Sequence, residues 1–230
     1  MNSRPGFWQT LLPEDCILCG VSDARSGLCG DCHRALPRLP PEQCPVCAIP
    51  SGRGAVCGAC LAAPPAFLAS HAALAYAFPV DALVQRFKYA GDLPLGAALG
   101  QLLLEALREA PRPDSLVSMP LHPARLRERG FNQALELARQ VGGRLGIPVL
   151  AAACRRLRDT PPQAALPWKE REKNIRGAFA CTADLAGKRV AVVDDVMTTG
   201  HTLNEVARIL RQAGAARVDC WVVARTLRDS

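Results

Sequence analysis

The stretch KRVAVVDDVMTTGHTL, Lys188 to Leu203, brings two adjacent carboxylates to the end of an apolar run and follows them with small hydroxylated residues and a glycine. Each type has a chemical use. Two neighbouring carboxylates, Asp194 and Asp195, can each accept a hydrogen bond from one hydroxyl of a vicinal diol. Small side chains at Thr198, Thr199, Gly200 and Thr202 leave backbone N–H groups open at a helix start, where the helix dipole also favours an anion. A diol beside a phosphate describes a ribose 5-phosphate. A plain strand–turn–helix with one Asp or Thr as cap accounts for a single acid but not for the whole set. A Walker-type loop is excluded, because no Gly-Lys-Ser/Thr occurs here.

The second chemical signal is cysteine. Eight of eleven cysteines lie between Cys16 and Cys60, as CILC (16–19), CGDC (29–32), CPVC (44–47) and CGAC (57–60). Adding 28 to each position of the first two pairs gives the second two, which marks an internal duplication. Two CxxC knuckles supply four thiolates around a tetrahedral Zn²⁺, with iron the less favoured ion, in a site closed to water and therefore structural. A redox role is disfavoured, since a redox CxxC usually opens a helix inside a βαβ unit. Spacing alone leaves local and interleaved ligand sets open; the simpler sets are Cys16, Cys19, Cys29 and Cys32, then Cys44, Cys47, Cys57 and Cys60. His33 beside them is surplus to four thiolates. Cys154, Cys181 and Cys220 have no partner nearby in sequence and read as small buried hydrophobes.

These groups need elements to hold them. RVAVVDD reads as the cleanest strand, HTLNEVARILRQAGA as the helix after it, and RVDCWVVARTL as a last strand. Upstream, HAALAYAF and SLVSM read as strands, IPVLAA as β-like, and VDALVQRFKY, LGAALGQLLLEALREA and NQALELARQVGGRLG as helices. Alternating strands and helices predict an α/β fold with a mainly parallel sheet, whose ligands sit at the carboxyl ends of the strands. The proline-rich ALPRLPPEQCP separates the two cysteine ribbons and LAAPPA (61–66) follows them, so the expected division is 1–65 and 66–230.

Composition adds two bounds. Residues 120–180 hold twelve basic and five acidic side chains, which accounts for the whole +7 net charge of the 230-residue chain. Such an excess implies an anionic partner, phosphates or nucleic acid, or else a solvated arginine surface. The segment's aromatics are Phe131, Trp168 and Phe179, few for a surface that would stack bases. No apolar h-region precedes the first acids and no apolar run reaches the roughly 18 residues of a membrane span, so a cytoplasmic protein is expected.

At VAVVDDVMTTGHT the sequence resembles the phosphoribosyl-diphosphate signature of type I phosphoribosyltransferases. SMPLHPARLRERGFNQALELAR, RLRDTPPQAALPWKEREKNIRGAF and a double zinc ribbon leading into LVQRFKYAGD resemble the ComF competence-protein family over nearly the whole chain. The resemblance implies a type I phosphoribosyltransferase-like domain with an N-terminal zinc-ribbon module. It implies that Asp194 and Asp195 take ribose hydroxyls and that Val196, Met197, Thr198, Thr199, Gly200, His201 and Thr202 belong to the turn around the 5-phosphate. Pro120 and Leu121 would form the diphosphate loop, and Arg158 to about Arg171 the hood over it, with Mg²⁺ accompanying the sugar diphosphate. His122 is a conceivable general base, although a lone histidine is more often structural. RERGFNQ carries no evident chemical role; Arg125, Arg127 and Arg129 would face diphosphate or DNA, or pack their stems. The implied partners are phosphoribosyl diphosphate, single-stranded DNA through residues 120–180, and competence or DNA-processing proteins. Three functions compete: a transferase acting on a nitrogen acceptor, a DNA-handling protein with an inactive transferase fold, and a sensor of the sugar diphosphate.

Overall fold

The computed structural model describes residues 15–22, 24, 26–158 and 175–227. Its centre is a parallel sheet of four strands, β1 (Ala69–Ala75), β2 (Ser115–Ser118), β5 (Arg189–Met197) and β6 (Arg217–Arg225), in the order β1-β6-β5-β2. Both faces of the inner strands are apolar, as a parallel sheet covered on both sides requires. Ala191, Val193, Trp221 and Val223 pack on one side with helices α3 (Val80–Ala90), α4 (Leu93–Ala106) and α6 (Gln133–Leu145). Val190, Val192, Val218, Cys220 and Val222 pack on the other with α7 (His201–Gln212) and a two-stranded antiparallel sheet of β3 (Cys154–Arg156) and β4 (Phe179–Cys181).

Local signals explain the boundaries. Asp92 caps α4 by accepting from the Leu95 N–H at 3.2 Å. Asn132 caps α6 by accepting from the N–H groups of Ala134 and Leu135. Inside α6, a Cβ at Gly142 would lie 2.7 Å from the Ile147 carbonyl, so glycine there lets the chain double back against β2.

Three expectations are corrected. IPVLAA forms no strand but a single bridge, Val149 with Leu116, because Gly146 turns the chain and it meets β2 only briefly. The helix α5 (Pro123–Arg129) arises where no helix was expected; Pro123 opens it and Gly130, with a φ of 78°, ends it. β5 does not stop at the two acids but runs on to Met197. Cys154 and Cys220 are buried as expected and Cys181 is half-buried; Cys154 and Cys181, far apart in sequence, are register partners across β3 and β4.

The cysteine-bearing residues do not stand apart either. Short helices α1 (Gly30–Ala35) and α2 (Gly58–Ala62) close the two knuckle pairs. The proline-rich stretch between the pairs runs along the edge strand β1, where the carbonyls of Pro37 and Pro45 accept from the Ala75 and Ser70 N–H groups. An edge that would otherwise expose unpaired donors is thereby covered.

Candidate functional site

Each set of four sulfurs gathers locally: the Sγ atoms of Cys16, Cys19, Cys29 and Cys32 lie within 4.8 Å of one another, as do those of Cys44, Cys47, Cys57 and Cys60. Cys19 and Cys29 are 3.7 Å apart and Cys47 and Cys57 3.6 Å. Sulfurs at about 2.3 Å from a tetrahedral zinc lie about 3.8 Å from each other, so both sets fit the ion. Burial opposes ionisation of Cys16 and Cys44, but hydrogen bonds from backbone N–H groups and a neighbouring thiol bring them down to about 6 and about 7. Cys32 is raised by its thiol neighbours, Cys19 first, and Cys60 by burial and then by Cys47. A cation is what lets all four thiolates of a set coexist. His33 is no ligand; its Nε2 lies 2.9 Å from a Glu105 oxygen.

The sheet presents the second site. A cavity of about 380 Å³ at the carboxyl end of β5 is lined by Asp194, Asp195, Val196, Met197, Thr198, Thr199, Gly200, His201 and Thr202, and by Pro120 and Leu121 beyond β2. Gly200 takes a φ of 82° as the N-cap of α7; a Cβ there would lie 2.7 Å from Met197 Cε. The turn is thus held in a form glycine suits best. Arg158 is not among the lining residues; its guanidinium bonds the Arg176 carbonyl. Arg171 lies outside the described residues.

The two acids are unequal. Asp195 is 3% exposed; one oxygen accepts from the Val196 N–H at 2.7 Å and the other meets the Lys88 ammonium at 2.9 Å. Asp194 is partly accessible, and its Oδ1 accepts from the Asp195 N–H at 2.9 Å. Desolvation, and then the adjacent Asp195 charge, push Asp194 up to about 8 against the pull of Lys88. Burial works against the Lys88 ammonium, but Asp195 outweighs it and raises Lys88 above the usual lysine value.

Lys88 on α3 was missed by sequence reasoning, as were Tyr76, Gln85, Tyr89, Met119, Gln133 and Arg156, all on the cavity wall. The signal available was LVQRFKYAGD, a block with no role attached. Arg125 and Arg129 do reach the cavity, whereas Arg127 is not among its lining residues. The Arg129 guanidinium lies 5.0 Å over the ring of Tyr89, which is 68% exposed. A stacking ring therefore stands beside basic α5, although the segment's own Phe131 and Phe179 turn inward, Phe131 against Phe87 at 5.6 Å.

RERGFNQ now has a structural role. Gly130 ends α5, and Arg129 donates to Gln133 Oε1. Asn132 caps α6 and also donates to the Met119 carbonyl at 3.1 Å, one residue before Pro120. His122 caps α5, its Nδ1 accepting from the Ala124 N–H, and is absent from the residues lining this cavity.

Residues 7–61 match the double zinc ribbon domain and residues 127–229 the phosphoribosyl transferase domain. The chain is 34% identical to Competence protein F of Haemophilus influenzae, covering 91% of this chain and 96% of that one. It is 36% identical to DNA utilization protein YhgH of Salmonella typhi, covering 94% and 99%. Among solved structures, purine phosphoribosyltransferase from Pyrococcus horikoshii Ot3 is similar at 22% identity and a TM-score of 0.36, over 68% of this chain and 77% of that one. Sheet, cysteine clusters and domain matches together define a type I phosphoribosyltransferase-like α/β protein with a zinc-ribbon module at its N-terminal end. The chain belongs to the ComF family, that of Competence protein F and DNA utilization protein YhgH. No described helix is long and apolar enough to cross a membrane.

Proposed function

We propose that this protein binds phosphoribosyl diphosphate with Mg²⁺ at the carboxyl end of β5 and serves natural competence, DNA uptake or DNA utilisation. The observation that carries the reading is the shared wall: residues 194–202, Pro120 and Leu121 line one cavity. In this reading the chain divides at 65/66, Asp194 takes a ribose hydroxyl, and Thr198, Thr199, Gly200 and Thr202 cradle the 5-phosphate. Asp195 joins Asp194 at the diol once ligand or metal competes with Lys88. As a transferase the protein would let a nitrogen nucleophile displace diphosphate from C1 of the sugar, with Mg²⁺ and arginines such as Arg125 and Arg129 neutralising the departing charge.

A specific observation also favours the DNA-handling reading: the exposed Tyr89 ring beside Arg125 and Arg129 pairs a stacking surface with positive charge. One titration series tests both readings. Phosphoribosyl diphosphate with Mg²⁺ should bind the parent and lose about two orders of magnitude in Asp194→Asn/Asp195→Asn, since two charge-assisted hydrogen bonds contribute roughly 1.5–3 kcal/mol each. A single-stranded oligonucleotide should then bind with strong salt dependence and little sequence preference. Equal sugar affinity in parent and double variant sinks the first reading; oligonucleotide binding indifferent to salt sinks the second.

A further inference from the structure

A second cavity, of about 530 Å³, lies on the other side of the phosphate turn, between the second cysteine cluster and the start of α7. Cys47 and Cys60 stand in one wall, Thr199, Gly200 and His201 in the other, and Arg225 between them. Arg225 ends β6 and is 5% exposed. Its Nε donates to the carbonyl of Cys47 at 2.7 Å. Its Nη1 donates to the carbonyls of Met197 at 3.0 Å, Thr226 at 2.8 Å, and Thr198. One buried, planar cation thus holds the backbone of a cysteine ligand with one edge and the backbone of the 197–198 turn with another.

A guanidinium cannot bend to follow one partner without leaving the other. The Cys47 carbonyl is fixed by its knuckle, in which Ala48 N–H donates to Cys44 and Cys44 N–H donates to Ile49. That knuckle holds its form when its four thiolates share a cation. If the knuckle opens, a buried N–H of Arg225 loses its acceptor, a penalty also felt at the turn. Other contacts run the same way: Met197, Phe67, Cys44, Cys47 and Cys60 share one apolar cluster, and the Ala66 N–H donates to Asn204 in the first turn of α7 at 2.7 Å. The first cysteine cluster is built into the opposite layer, where Cys16, Leu28, Cys29 and Leu36 pack with the α3–α4 core.

We infer that Arg225 is a positioning residue that couples the metal state of Cys44, Cys47, Cys57 and Cys60 to the shape of the 197–202 turn, while the first cluster is not so coupled. The coupling stands on this geometry; its consequence for ligand affinity rests on the function proposed above. Linkage makes it reciprocal: zinc in the second cluster strengthens ligand binding at the turn, and ligand at the turn raises the affinity for that zinc by the same free energy.

The test uses the full-length zinc-loaded chain, its Arg225→Met and Arg225→Lys variants, hydrogen exchange by mass spectrometry and zinc release to a chelator. Arg225→Met should speed exchange in residues 44–60 and 197–203 while residues 26–36 and α6 keep the parent's rates. One of the two zinc equivalents should leave about tenfold faster or more, and the other at the parent rate. Arg225→Lys, whose single ammonium cannot span both sides, should fall between. The parent gives the same answer without substitution: removing one zinc equivalent from the second cluster should loosen 197–203, and phosphoribosyl diphosphate with Mg²⁺ should slow that removal. Uniform acceleration at both clusters, or none at either, overturns the coupling. If the parent fails to bind phosphoribosyl diphosphate, the proposed function falls, and the exchange pattern still decides the coupling.

Discussion

Asp194 and Asp195 are neighbours in the chain and opposites in electrostatics. Asp195 is ion-paired with Lys88, and replacing it would strand a buried ammonium; Asp194 bears the penalty of burial first and of the adjacent Asp195 charge second. A carboxyl whose folded pKa is raised to about 8 binds more protons folded than unfolded between about pH 4 and 8, so stability falls as pH rises through that window. Asp194→Asn should therefore stabilise the ligand-free protein, with a gain in melting temperature that grows from pH 5 to pH 8. Binding runs the other way. If the ionised carboxylate takes the ribose hydroxyl, affinity for phosphoribosyl diphosphate should rise about tenfold from pH 7 to pH 9 in the parent and stay flat in Asp194→Asn. Calorimetric titration across that range checks both; a flat parent profile would remove Asp194 from the diol.

At the scale of elements, the site depends on how α6 is fastened to the loop after β2. Asn132 does this with both ends of its amide, capping α6 with the oxygen and holding the Met119 carbonyl with the nitrogen. Asn132→Asp keeps the cap and removes the donor; Asn132→Ala removes both. The alanine variant should lose about 1 kcal/mol, a melting-point drop of roughly 2–4 °C for a protein of this size. The aspartate variant should lose less stability than alanine and still bind the sugar diphosphate more weakly, because Pro120 and Leu121 have lost their anchor. Equal affinity in aspartate variant and parent would show that the loop is held by other contacts.

Across the whole molecule, the cysteine clusters are parts of the two packed layers, one on each side of the sheet. Cys16 and Cys29 join the core built by α3 and α4, and Cys44, Cys47 and Cys60 the core built by α7. Metal analysis should return about two zinc ions per chain. Stripping them should lower the melting temperature of the entire chain in one cooperative transition, since neither layer closes without its knuckle. A calorimetric scan in which the sheet-bearing transition stays unmoved after chelation would show an independent ribbon instead.

Much of this architecture was written into local pattern. Four CxxC pairs repeating at a fixed interval specify two closed sulfur sites, because a knuckle is a property of a few consecutive residues. An apolar run ending in two acids, then a turn with Gly200, specifies a strand, a turn and a helix start, because alternation, φ and capping are local as well. What tertiary structure alone decided is which distant groups meet. Lys88 reaches Asp195 because α3 packs beside the end of β5; Tyr89 reaches Arg129 because α5 forms where no helix was expected. Cys154 faces Cys181 through an antiparallel register, and Arg225 finds the Cys47 carbonyl only when β6 lies between the turn and the ribbon. Those encounters are selected by burial summed over the whole core, a quantity that no window of neighbouring residues contains.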